Sequence, residues 1–149
     1  MLRGSHGHLD AYLSNHVAGM SDSEGLSDGL RRHLRAMHGA GDLPSDLLAE
    51  SAPSRGRGEN PACGDVLELS GALDDGDELR LAFRASACGA VLATASVLCE
   101  GVNGADLAAA RRFDLAAAVE ALGGLPRHRA HALRVVERAF EQVLAGLVR

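Results

Sequence analysis

The sequence predicts an α+β fold in which a small antiparallel sheet carries helices packed on one face. Three observations lead there. A leucine-spaced segment near residue 30 reads as a helix, alternating segments flank an Asp-rich turn in the middle, and only helical patterns follow from Gly89 onward. The chain has 149 residues, 46% of them hydrophobic, and a formal charge of −5. That balance suits one compact domain with some loose terminal sequence. Aromatic residues supply only 3%, so the core is expected to be built from Leu, Val and Ala.

Residues 1–19, MLRGSHGHLDAYLSNHVAG, have no sustained apolar periodicity and are expected to be a leader or disordered extension, leaving residues 20–149 as a single domain. His6 and His8 within it are expected to bind metal only adventitiously. Leu26, Leu30, Leu34 and Met37 share a helical face, with Ser27 placed to cap the start and Gly39 to end it. Residues 41–60 contain Pro44, Pro53 and several glycines, which predicts a long irregular connection with a short edge strand at residues 47–49. Val66, Leu67 and Leu69 then approach the turn Asp74-Asp75-Gly76-Asp77, after which Leu79, Leu81 and Phe83 alternate with Arg80 and Arg84. This pattern predicts a β-hairpin with one buried face.

GAVLATASVLCEGV, residues 89–102, is apolar all round and long enough for a buried helix stopped by Asn103-Gly104. Asp106 and Asp114 are placed to cap two short Ala-rich helices, the second ended by Gly123-Gly124. Pro126 suits the first turn of a terminal helix whose Leu133, Val136, Phe140, Val143, Leu144 and Leu147 lie on one side.

Composition also excludes functions. All fifteen basic residues are arginine, so a Schiff-base lysine and the lysine of a phosphate-binding loop are both ruled out. Charges of both signs are mixed along the chain, which gives no basic stripe for a nucleic-acid backbone. No apolar run approaches the roughly 18–20 residues needed to span a bilayer, and the start lacks a secretory apolar core. The protein is therefore expected to be cytoplasmic, without nucleic-acid or membrane partners. Cysteines number three, Cys63, Cys88 and Cys99. An odd count in a chain of this size argues for reduced thiols, used in packing or metal binding, over a disulfide framework.

Cys63 and Asp65 flank Gly64; in extended backbone, residues two apart point the same way and can reach one metal ion together. Cys88 falls at a strand-to-helix junction, where a helix N-terminus favours thiolate and makes a better ligand and nucleophile. The competing reading is that both are small buried hydrophobes, the common fate of free cysteine.

Asn60-Pro61-Ala62-Cys63-Gly64-Asp65, followed by ACGAVLATASVLCEGVNGADL at residues 87–107, resembles the NifU/IscU-type iron–sulfur cluster assembly scaffold family, which includes the SufU proteins. The resemblance runs from Asn60 into the terminal helix. It implies that Cys63, Asp65 and Cys88 match three of the four ligands for a nascent cluster or for zinc. The fourth family position, ordinarily cysteine, is His131 here. His128 lies close by in sequence, but the family position favours His131. The distance from Cys88 to that position resembles the IscU branch, without the SufU insertion. The turn Leu125-Pro126-Arg127-His128 matches the chaperone-binding LPPVK motif of that branch poorly.

The resemblance implies a scaffold or carrier rather than an enzyme, holding a transient [2Fe-2S] cluster or Zn²⁺. Its implied partners are a cysteine desulfurase and apo iron–sulfur acceptor proteins. The alternatives are a diverged member with a structural zinc site and a zinc-dependent sulfurtransferase of SufU type. Cys99 lies eleven residues beyond Cys88, about 16 Å along a helix. It is expected to be buried and inert.

Overall fold

The computed structural model describes Ser23 and residues 25–147. The expected leader, with His6 and His8, lies outside the described residues. Helix α1 (Asp28–Ala36) begins at Ser27, whose hydroxyl accepts the Leu30 N–H at 3.2 Å. It ends one residue before Met37, which takes a left-handed conformation at φ 50° and turns the chain back on itself. Gly39, at φ 85°, continues that reversal.

The connection that follows is more ordered than its composition suggests. Residues 47–49, expected as an edge strand, lie in helix α2 (Ser45–Glu50), which starts directly after Pro44. An apolar pair this short fits either period, and Pro44, extended at the N-cap, sets up the helix. Strand β1 (Ser54–Asn60) then occupies the stretch expected to be irregular. Its sequence, SRGRGEN, has no apolar residue, because its inward positions are Gly56 and Gly58. A Cβ on either glycine would collide with a carbonyl oxygen of the terminal helix, that of Ala139 or Val135 respectively. Bare backbone against backbone replaces side-chain packing there, which is why the usual alternation is missing.

Strands β2 (Asp65–Leu73) and β3 (Leu79–Ser86) complete a three-stranded antiparallel sheet in the order β1-β2-β3. In register, Asn60 faces Asp65 and Val66 faces Ser86. Leu67, Leu69, Leu81 and Phe83 are buried on the main face. On the opposite parity, Ala72 and Ala82 form a smaller apolar cluster with Leu43 and with Leu47 of α2.

Helix α3 (Gly89–Val102) runs through the middle of the core, with twelve of its fourteen residues buried. Its small residues let α1, the sheet and the terminal helix approach from different sides. Asp106 and Asp114 cap α4 (Leu107–Arg112) and α5 (Leu115–Ala121), accepting from the Ala109 and Ala117 N–H groups. Pro126 does not open the terminal helix. Its ψ of 151° is extended, a single 3₁₀ turn follows at Arg127–Arg129, and α6 (His131–Gly146) starts only at His131. Buried Val135, Val136, Ala139, Phe140 and Val143 seat α6 on the sheet.

At the outer edge of β1, the Gln142 amide donates to the Arg57 carbonyl and accepts from its N–H, both at 2.9 Å. Among the described residues, no helix is long and apolar enough to cross a membrane.

Candidate metal centre

Asn60, Pro61, Ala62 and Cys63 form the turn joining β1 to β2; the Cys63 N–H donates to the Asn60 carbonyl at 3.1 Å. Proline sets the φ that the second turn position needs. Gly64 follows at φ 73°, a conformation that L-residues avoid. Cys63 is therefore on a turn and exposed, and the expected extended backbone around Cys63 and Asp65 is not observed. The tight reversal at Gly64 brings the two side chains toward one point.

Asp65, the first residue of β2, is only 2% exposed. Its Oδ1 accepts the backbone N–H of Cys88 at 2.8 Å. Its Oδ2 accepts from His131 Nε2 at 2.9 Å. One carboxylate thus ties the start of α3 to the start of α6, and both its oxygens are engaged. The Cys88 sulfur lies 4.0 Å from Asp65 Oδ2 and 4.0 Å from His131 Nε2. Donor atoms of Cys63, Asp65 and His131 all fall within 4.8 Å of one another. His131 keeps 23% of its side chain exposed, so the cluster opens to solvent. His128 is exposed in the 3₁₀ turn and is not part of this group.

Cys88 is the N-cap residue of α3, as its place in the sequence suggests, but its thiol is not the activated one expected there. Burial raises its pKa above the ordinary thiol range, and the Asp65 carboxylate adds to the rise. Hydrogen bonds from the Val91 and Ala90 backbone, and the charge of Arg129, pull the other way without reversing it. Arg129 is the group that sequence reasoning passed over. A cation two residues before His131 in a proline-led turn was the available signal. Cys99 is fully buried on α3, with its thiol pushed up to about 12 by burial alone.

The mutually close group is Cys63, Asp65 and His131, and the Cys88 thiol adjoins two of these without belonging to it; together they offer donors of mixed hardness. Thiolate and imidazole suit zinc or iron, and the carboxylate is a harder, more readily exchanged ligand. The residues present therefore fit a metal ion or a small iron–sulfur unit.

Comparison with known proteins gives concordant results. Residues 45–147 match the model of the NifU-like N terminal domain. Two proteins of Archaeoglobus fulgidus, iron-sulfur cluster assembly scaffold proteins IscU 1 and IscU 2, are each 29% identical over 100 residues, covering 67% of this chain. The chain spans 65% of the length of those relatives. In structure it is similar to a protein of Fervidobacterium islandicum AW-1 assigned as an iron-sulfur cluster assembly scaffold for the SUF system. That likeness has a TM-score of 0.58 at 17% identity and covers 82% of this chain and 98% of the other. It supports the α+β architecture of a three-stranded antiparallel sheet under helices. A family match across most of the described chain, on a fold that solved structures share, makes this protein a member of the NifU-like N-terminal domain family.

Proposed function

We propose that the protein is an iron–sulfur cluster assembly scaffold or carrier that holds a labile unit, a transient [2Fe-2S] cluster or a metal ion, through Cys63, Asp65, Cys88 and His131. The observation that carries this reading is the Asp65 carboxylate. It is buried and shared between the Cys88 N–H and the His131 ring, beside an exposed thiol. A carboxylate in that place fixes two other ligands without a metal and remains a weak ligand to one, which suits cargo that must leave.

Cys63 is the thiol that an incoming sulfur donor reaches, since it sits exposed on the turn. A desulfurase persulfide, R–S–SH, attacked at its outer sulfur by the Cys63 thiolate gives Cys63–S–SH and releases R–S⁻. One S–S bond forms, one breaks, and no net electron transfer occurs. Apo iron–sulfur proteins are the acceptors of the finished unit on this reading.

A zinc site is the second reading, favoured by the compactness of the cluster: donors within 4.8 Å suit a single ion. Anaerobic purification followed by iron, zinc and acid-labile sulfide analysis separates the two. Iron with sulfide in comparable amounts supports the scaffold; zinc without sulfide, persisting after reconstitution with ferrous iron and sulfide, rejects it.

A further inference from the structure

A second group of ligand-type side chains lies at the far end of α3, unrelated to the first. His33 near the end of α1, His38 just past its left-handed stop, and Glu100 on α3 place their donor atoms within 4.8 Å of one another. Glu100 is twelve residues beyond Cys88, about 18 Å along the helix. The two groups share no residue.

His33 Nε2 lies 3.4 Å from Glu100 Oε1, and His38 Nε2 lies 3.3 Å from Glu100 Oε2. A charge-assisted N–H···O bond contracts to about 2.7–2.9 Å when free to do so. At 3.3–3.4 Å the two Nε2 atoms face different oxygens of one carboxylate without closing either hydrogen bond, and the three side chains converge on one point.

The rings are also held from behind. His33 Nδ1 is 2.9 Å from the hydroxyl of fully buried Ser96, and the same oxygen accepts the His38 backbone N–H at 3.0 Å. With Nδ1 engaged, Nε2 is the nitrogen turned to Glu100. This is the outer-shell arrangement that orients imidazole ligands. Gly39 packs against Cys99 so closely that a Cβ there would strike its sulfur, and this fixes the loop that carries His38. The rings meet edge to face, with centroids 5.5 Å apart. His38 and Glu100 are 44% and 58% exposed, so an ion entering from solvent keeps an open coordination position.

We propose that His33, His38 and Glu100 form a second, thiolate-free site for a divalent first-row transition metal such as Zn²⁺. Two imidazole nitrogens and one carboxylate select such an ion over Mg²⁺ or Ca²⁺, which require oxygen ligands. A bound ion bridges α1 to α3 across the face where His33 is buried.

The test is calorimetric titration of Zn²⁺ into the full reduced chain. The parent takes up two equivalents. A variant with the first site removed, Cys63→Ser, Cys88→Ser and His131→Ala together, retains one. Adding His38→Ala or Glu100→Gln, both at exposed positions, weakens that equivalent by about 100-fold or more, since even outer-shell changes typically cost about 10–100-fold. Replacing His6, His8 and His16 by alanine leaves it unchanged. Co²⁺ in the retained site gives visible d–d bands without near-ultraviolet thiolate charge transfer. The proposal is overturned if the first-site variant binds no Zn²⁺. Retention unaffected by both His38→Ala and Glu100→Gln, or lost with the N-terminal histidines, overturns it equally.

Discussion

Replacing Gly58 with alanine tests whether the fold positions the site through backbone contact. A Cβ at Gly58 falls on the Val135 carbonyl oxygen, 2.8 Å from the carbonyl carbon and 3.1 Å from Cγ1. The obstruction is helix backbone and cannot rotate away, so α6 must retreat from β1 by about 1 Å. Overpacking of this kind costs about 1–3 kcal/mol, and a rigid obstacle places Gly58→Ala in the upper half of that range. At about 2–4 °C per kcal/mol for a chain of this size, the melting temperature should fall by about 4–12 °C. Val135 lies one helical turn after His131, so the same retreat draws the imidazole away from Asp65 Oδ2, now 2.9 Å distant. Zn²⁺ or Co²⁺ affinity at the first site should therefore weaken although no ligand has changed. Thermal melts in chelator and a Co²⁺ titration read both effects. Gly64→Ala is the comparison: nothing lies within 4 Å of its Cβ, and only its φ of 73° resists substitution, at about 1–2 kcal/mol. An unchanged melting temperature and an unchanged affinity in Gly58→Ala would show that α6 and His131 are not positioned by bare backbone contact with β1.

Alkylation of the native metal-free chain should label Cys63 first, Cys88 more slowly and Cys99 only on unfolding. Cys63 is exposed, burial raises the Cys88 thiol pKa, and Cys99 is pushed up to about 12; mass spectrometry showing early Cys99 labelling contradicts this. Burial also lowers the His33 pKa, a shift that Glu100 opposes while His38 and Arg32 reinforce it. The unfolded chain then binds more protons than the folded one below about pH 6.5. His33's contribution to stability is thus complete above that pH and is lost as the pH falls toward its lower folded value. Urea midpoints in chelator should drop between about pH 7.5 and pH 5.5, and drop less in His33→Gln; equal drops in both proteins would contradict the shift.

Local chemistry was the part of this fold most legible in the sequence. Ser27, Asp106 and Asp114 act as caps because an N-cap needs only one side-chain oxygen and the next turn of backbone. The hairpin about Asp74–Asp77 and the buried α3 follow from periodicity alone. Strand β1 was hidden because its inward residues, Gly56 and Gly58, have no side chain with which to announce a face. At Pro126 the residue type was compatible with a helix start, yet its ψ is extended and its carbonyl accepts the Arg129 N–H at 2.9 Å, so a 3₁₀ turn intervenes and α6 starts only at His131.

The candidate site divides in the same way. Cys63, Asp65, Cys88 and His131 could be named from the sequence, but the sequence did not show that burial would outweigh the helix N-terminus at Cys88. Nor did it show that Cys63 would reach Asp65 by way of a turn. His33, His38 and Glu100 left no signal, since their meeting depends on α1 docking against α3.

In the proposed site His131 is the fourth ligand, beside Asp65. The direct measurement is bound iron and acid-labile sulfide after anaerobic reconstitution of the parent, His131→Ala and His128→Ala, each prepared with the His33–His38–Glu100 group intact. The parent and His128→Ala should retain iron and sulfide in comparable amounts, and His131→Ala should lose most of both. Retention by His131→Ala equal to the parent would show that His131 is not a ligand.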